Sequence, residues 1–239
     1  MVLDLDLLLK AYAVGVFPMS DGREAEDVYW VEPKRRAILP LDGFHLSRSL
    51  RKTLRSGQFE ITRDRAFDEV VRRCAEREDT WINGAIEASY VALHGHGHAH
   101  SVEVWAGDAL VGGLYGVRLG GAFFGESMFS ERPDASKVAL AWLVARLKVG
   151  GFTLLDCQFI TDHLKSLGAV EIPQQTYLQL LSSALGSGAG GGGGAGAGAG
   201  AAAGASAFEA LDRLLEERAS EAGSPPPEWV ISQLIGQTS

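Results

Sequence analysis

SVEVWAGDALVGGLYGVRLGGAFFG, residues Ser101 to Gly125, decides how the rest of the chain is read. Ser101 to Trp105 alternates polar and apolar side chains at the period of a half-buried strand, and Gly107-Asp108 supplies a turn. Leu110 to Leu119 is a longer, glycine-rich strand; Gly120-Gly121 is a two-residue hairpin signal, and Ala122 to Gly125 returns. Three antiparallel strands are implied. Outward on the C-terminal side, Lys137 to Lys148 reads as a helix whose broad apolar face is Val138, Leu140, Ala141, Leu143, Val144 and Leu147. A strand at Thr153–Cys157, a helix near Asp162–Leu167 and an apolar run at Tyr177–Leu185 follow. A mixed sheet with helices packed on it is an α+β architecture.

Outward on the N-terminal side, the residues up to about Gly97 read mainly as helices. Asp4 to Val14 is a short helix ended by Gly15-Val16-Phe17-Pro18, because proline disfavours helix in the residue before it. Leu46, Leu50 and Leu54 recur every four residues with Arg48, Arg51, Lys52 and Arg55 between them, so a helix here turns leucines inward and positive charge outward. Phe67, Val70, Val71 and Cys74, then Ile86, Tyr90 and Leu93, are further helical core stripes. Four segments result: a mainly helical N-terminal domain (1–97), an α+β domain (98–185), a Gly/Ala linker (186–207) and a C-terminal tail (208–239) whose Trp229–Ile235 stretch can dock back on the body.

The net charge of −8 looks unsuited to nucleic acid, but its distribution matters more than its sum. Lys34 to Arg55 holds seven basic residues (Lys34, Arg35, Arg36, Arg48, Arg51, Lys52, Arg55) against the single acid Asp42, which permits RNA contact on one face. No run approaches the roughly 18 apolar residues of a membrane span, and Asp4 and Asp6 stand where a signal peptide carries basic residues, so a cytoplasmic protein is expected. Cys74 and Cys157 read as small buried hydrophobes. Alternating His94, His96, His98 and His100 lack a matching cysteine or carboxylate set apart from Glu103, so no metal is expected. Gly112-Gly113 and Gly120-Gly121 form neither a dinucleotide fingerprint nor a phosphate loop, and Ser127 and Ser130 lack a nucleophile elbow. No cofactor is expected.

The chemistry-bearing candidates are acidic and amide side chains. Asp156 and Gln158, two apart at the end of a strand, share a face, and an Asp after Leu154-Leu155 needs partners if buried. Glu126 closes the Phe123-Phe124-Gly125 strand beside Met128 and Phe129 and is either a structural acceptor or a site residue. Trp30 could stack on a base or ribose or sit in the core.

Eight stretches occur in family order over residues 8 to 181: Ala11-Tyr12 with Gly15-Val16-Phe17-Pro18-Met19, Thr80-Trp81-Ile82, Gly97 to Trp105, Leu110 to Val117, Gly125-Glu126-Ser127-Met128-Phe129-Ser130, Ala135-Ser136-Lys137, Asp156-Cys157-Gln158, and Ser166-Leu167-Gly168-Ala169. Together they resemble the leucyl/phenylalanyl-tRNA–protein transferases. The resemblance implies a small N-terminal domain and a GNAT-like acyltransferase domain. It further implies transfer of Leu, Phe or sometimes Met from aminoacyl-tRNA to proteins beginning with Lys or Arg, which creates a destabilising N-terminus; a monomer with no membrane partner is expected. By the same resemblance Asp156 and Gln158 are catalytic, Glu126 and Trp30 lie near the aminoacyl-adenosine, and Leu114, Phe123 and Met128 belong to the hydrophobic pocket. The pattern departs after Ile172-Pro173, where Gln174 and Gln175 replace arginine and put a tRNA contact there in doubt.

The implied reaction is aminolysis of an ester, which needs no covalent enzyme intermediate. With an α-amino pKa of about 7.7–8.0, roughly a tenth of the amine is neutral at pH 7, so orientation and a modest proton acceptor suffice. Asp156 would supply the negative charge, and the Gln158 carbonyl would align the amine. Two rivals stay open: an acyl-CoA-dependent N-acyltransferase, although no Q/R-x-x-G-x-G/A loop precedes the Lys137 helix, and a non-catalytic RNA or peptide adaptor.

Overall fold

The computed structural model describes residues 2–187 and 207–236. Its centre is a seven-stranded mixed sheet. The decisive stretch forms β5 (Ala99–Ala106), β6 (Ala109–Leu119) and β7 (Ala122–Ser130), paired antiparallel as expected. Gly120, at φ +56, makes the tight β6–β7 turn that a side chain would strain. Helix α5 (Ala135–Val149) then crosses over to β8 (Leu154–Gln158), which runs parallel to β7. Nearly every side chain of α5 from Ala135 to Leu147 is buried, which explains an apolar face too broad for a surface helix.

Two short strands from the first part of the chain join this sheet: β3 (Arg35–Ile38) lies between β8 and β9 (Val170–Pro173), and β4 (Glu60–Arg63) flanks β5. The order is β4-β5-β6-β7-β8-β3-β9. The sheet therefore begins well before residue 97, and a mainly helical reading of the first part misses it: four-residue strands carry little periodicity. A separate ribbon pairs β1 (Phe17–Met19) with β2 (Tyr29–Val31). The α+β, mixed-sheet architecture is as expected, with antiparallel strands leading into the parallel β7–β8 crossover.

Helices cover both faces. One apolar cluster holds α1 (Leu5–Ala13), α3 (Phe67–Ala75), α4 (Gly84–Gly95) and α7 (Gln174–Ser187) to the sheet through Leu8, Val70, Tyr90 and Leu181. The other joins α5 to α2 (Arg48–Arg55), capped by the Ser47 hydroxyl, through Leu50, Leu54 and Leu143. Helix α6 (Asp162–Ser166) follows β8. The expected linker falls mostly on residues 188–206, which lie outside the described residues.

The tail does dock: α8 (Ala210–Ala219) and α9 (Pro227–Leu234) close the second cluster with Phe208, Leu211, Ile231 and Ile235. Phe208 is fully buried and stacks at 5.5 Å from Phe123 and 4.3 Å from His100. Asp212 bridges Arg146 and Arg63 at 2.6 and 2.8 Å.

Candidate active site

Beyond the pairs Ala122↔Leu154, Phe123↔Leu155 and Phe124↔Asp156, no further backbone pairing joins β7 to β8 among the described residues. Glu126 is the unpaired residue of a bulge: Ser127 faces Tyr115 and Gly125 faces Gly116. Gln158, in the left-handed region at φ +59, ends β8. A cavity of about 300 Å³ opens beside this bulge and the end of β8. Its apolar wall includes Leu114, Met128, Leu140, Leu143, Leu155 and Leu164, and its polar side includes Glu126 and Gln158.

Glu126 is buried among neutral donors. The Tyr12 hydroxyl reaches its Oε1 at 2.7 Å, the Tyr90 hydroxyl its Oε2 at 2.8 Å, and Gln158 Nε2 donates to Oε1 at 2.8 Å. The two tyrosine hydroxyls also lie 2.7 Å apart. Two hydroxyl hydrogens thus serve three short O···O contacts, and in the protonated form of Glu126 its own proton fills the third. Burial pushes the Glu126 carboxyl up to about 7, against the opposing pull of its three donors. Burial also raises both phenols well above their usual range, so they remain donors.

Asp156 is equally buried but faces a cation. Arg36, itself only 1% exposed, grips it through Nε (2.9 Å to Oδ1) and Nη2 (2.6 Å to Oδ2), while Tyr177 donates to Oδ2 at 2.7 Å. The Gln158 backbone N–H donates to Oδ1 at 2.8 Å. The Arg36 guanidinium stacks 4.6 Å from both Phe17 and Tyr177 and donates to the Gly15 carbonyl. Arg36 therefore does not belong to a basic surface: along β3, Arg35 points out and Arg36 points in.

The structure brings Glu126, Gln158, Leu114 and Met128 to the cavity, with Asp156 one bond behind Gln158. It does not bring Trp30 or Phe123 there. Trp30 sits 40% exposed on the β1–β2 ribbon, and Phe123 points into the core beneath Phe208. Tyr12, Tyr90, Arg36 and Tyr177 were missed as site residues. Their one signal was the need of a buried Asp after two leucines for a partner. Arg48, Arg51 and Lys52 are exposed on α2, and Arg55 is half-buried under the tail. His100 hydrogen-bonds to Asp64, His94 to the Ala99 carbonyl and His96 to the Ala92 carbonyl, and His94 also approaches Asp64 at 3.9 Å. Among the described residues no group of three or more His, Cys, Asp or Glu could hold a metal ion. No described helix is long and apolar enough to cross a membrane.

The family profile described as "Leucyl/phenylalanyl-tRNA protein transferase" matches residues 38–182, and that of its N-terminal domain matches residues 1–34. A leucyl/phenylalanyl-tRNA–protein transferase of Rhizorhabdus wittichii is 69% identical over 188 residues, covering 77% of this chain and 76% of that one. One of Zymomonas mobilis is 63% identical, covering 78% and 71%. Among solved structures, FemX aligns with a TM-score of 0.46 at 14% identity over 73% of this chain and 70% of its own.

Proposed function

Because the chain belongs to the leucyl/phenylalanyl-tRNA–protein transferase family, we propose that it moves Leu or Phe, and Met to a lesser degree, from aminoacyl-tRNA to the α-amine of proteins beginning with Lys or Arg. It is an aminoacyltransferase whose substrates are an aminoacyl-tRNA and a protein. The new N-terminus marks the acceptor for degradation, and the enzyme works in the cytoplasm as a monomer. Family membership argues against the acyl-CoA-dependent and adaptor readings.

One observation carries the mechanism: a leucine-lined cavity with a single carboxylate and a single amide on its polar side. The apolar wall takes the side chain of the aminoacyl group. Because one methylene is worth only about 1–3 kcal/mol there, tolerance among Leu, Phe and Met follows. Gln158 spends its N–H on Glu126, which leaves its carbonyl to accept from the attacking amine. Glu126, titrating near neutrality, suits the task of taking the amine's proton as the C–N bond forms and returning it to the ribose oxygen as the C–O ester bond breaks. Asp156 acts through Gln158, whose backbone it holds. Arg48, Arg51, Lys52 and Arg55 bind tRNA phosphates.

Purified protein given leucyl- or phenylalanyl-tRNA and an Arg-initiated peptide should show RNase-sensitive transfer. Use of acyl-CoA in place of charged tRNA would overturn the reading. Alanine at Arg48, Arg51, Lys52 and Arg55 should lower tRNA affinity and flatten its salt dependence while leaving the saturated rate nearly unchanged.

A further inference from the structure

Helix α9 lies against α2, the helix that carries the basic residues. Val230, Ile231 and Ile235 are buried beneath it, whereas Trp229 remains 43% exposed. The Arg55 guanidinium stacks 4.3 Å from the Trp229 ring and donates to Ser232 Oγ at 3.0 Å. A depression of about 430 Å³ on α2 is lined by Leu46, Arg48, Arg51, Lys52 and Arg55. A second, of about 220 Å³, shares Leu46 and Arg51 with it and is closed by Ile235 and Gly236 of the tail. The tail end thus extends the basic surface.

The charges on this surface are unspent. Among the described residues no carboxylate lies within ion-pair distance of Arg48, Arg51, Lys52 or Arg55, although the tail carries six acids against two basic residues. In a chain of net charge −8, four cations on one helix without acidic partners form a surface suited to an external anion. An exposed indole beside them adds what phosphate binding alone does not need. Aromatic side chains next to a cationic groove are how unpaired nucleotides are held, since every base has a π-face.

We propose that the docked tail completes the RNA-binding face: an unpaired nucleotide of the tRNA stacks on Trp229 while Arg48, Arg51 and Lys52 hold the neighbouring phosphates. This rests on the tRNA-dependent reading above. Arg55, stacked over one face of the indole, orients it and adds charge beside it.

The test uses the full chain with three probes: deacylated tRNA, a short single-stranded oligoribonucleotide, and an abasic chain with the same number of phosphates. Binding is read by anisotropy across a salt series. Trp229→Leu, which keeps an apolar side chain but no ring, should weaken binding of tRNA and oligoribonucleotide by roughly 5- to 150-fold without changing the salt slope. It should leave the abasic chain unaffected, and Trp229→Phe should bind within about threefold of the parent. The triple Arg48→Ala, Arg51→Ala, Lys52→Ala variant should flatten the salt slope on all three probes. Parent-like affinity of Trp229→Leu beside a weakened triple variant would overturn the stacking proposal and leave the tRNA reading intact. Tighter binding by Trp229→Leu would make the tail a cover, which also overturns the proposal. No RNA binding by the parent protein would remove the tRNA reading itself.

Discussion

Glu126 and Asp156 stand on neighbouring strands, both withdrawn from water and both in contact with Gln158, yet their surroundings differ in kind. Asp156 meets a guanidinium, a phenol and a backbone N–H. Glu126 meets only neutral donors, two of which also crowd each other. A buried carboxylate matched by a cation is an anchor; one matched by neutral groups keeps a proton within reach of physiological pH. The geometry therefore separates two tasks, holding and titrating, that residue type alone cannot separate.

The comparison breaks most visibly at the anchor. Asp156→Asn preserves shape but leaves Arg36 buried without a counter-charge, which should cost about 3–5 kcal/mol in denaturant unfolding. A loss below about 1 kcal/mol would show that Arg36 finds compensation elsewhere.

Glu126→Gln should behave differently, with an effect that depends on pH. Its carboxyl, ordinarily at 4.5, sits at about 7 in the folded protein, so the folded state binds the proton more tightly than the unfolded chain. The stability tied to that proton is whole below about pH 4.5 and is lost as pH rises through 7. Glu126→Gln lacks this loss, so its stability relative to the parent should climb between pH 5 and 8 by on the order of 3 kcal/mol. Parallel unfolding curves at the two pH values would remove Glu126 as the titrating group. In single-turnover transfer, an inflection near pH 7 should be present in the parent and absent in this variant.

Tyr90→Phe sharpens the contrast more gently. It removes one donor that favours the ionised glutamate, so it should cost about 1 kcal/mol and move the inflection to higher pH. Movement to lower pH would contradict the assigned hydrogen-bond direction. The smallest effect is expected at Trp30: Trp30→Ala should change the saturated transfer rate by less than about threefold, since the indole lies outside the cavity. A larger drop would bring the β1–β2 ribbon into the working site.

What was legible in the sequence is what is local. The β5–β6–β7 meander follows from alternation and turn chemistry, and α5 from helical spacing; β5, β6 and α5 were read nearly to their ends, whereas β7 continues past Gly125 to Ser130 through the bulge at Glu126. Strands β3 and β4 were not, because four residues with charged ends give no period to count. Within the site, Glu126, Asp156 and Gln158 stood out as polar groups in apolar stretches, but their division of labour did not. Arg36 looked like one of seven surface cations until Asp156, 120 residues away, was found to hold it. Tyr12 and Tyr90 occupy ordinary helical core positions, and only the tertiary fold aims both hydroxyls at one carboxylate.

The reach of those contacts bears on when the protein becomes active. Tyr12 and Glu126 are 114 residues apart, and the nest behind them closes only when Tyr177 of α7 is in place. Such non-local contacts form late in folding, since each must first overcome loop closure. A ribosome adding about 5–20 residues per second releases the N-terminal parts of the site many seconds before their C-terminal partners exist. Until α7 has been made, Asp156 lacks the Tyr177 hydroxyl and the polar wall of the leucine-lined cavity is without that part of its anchor.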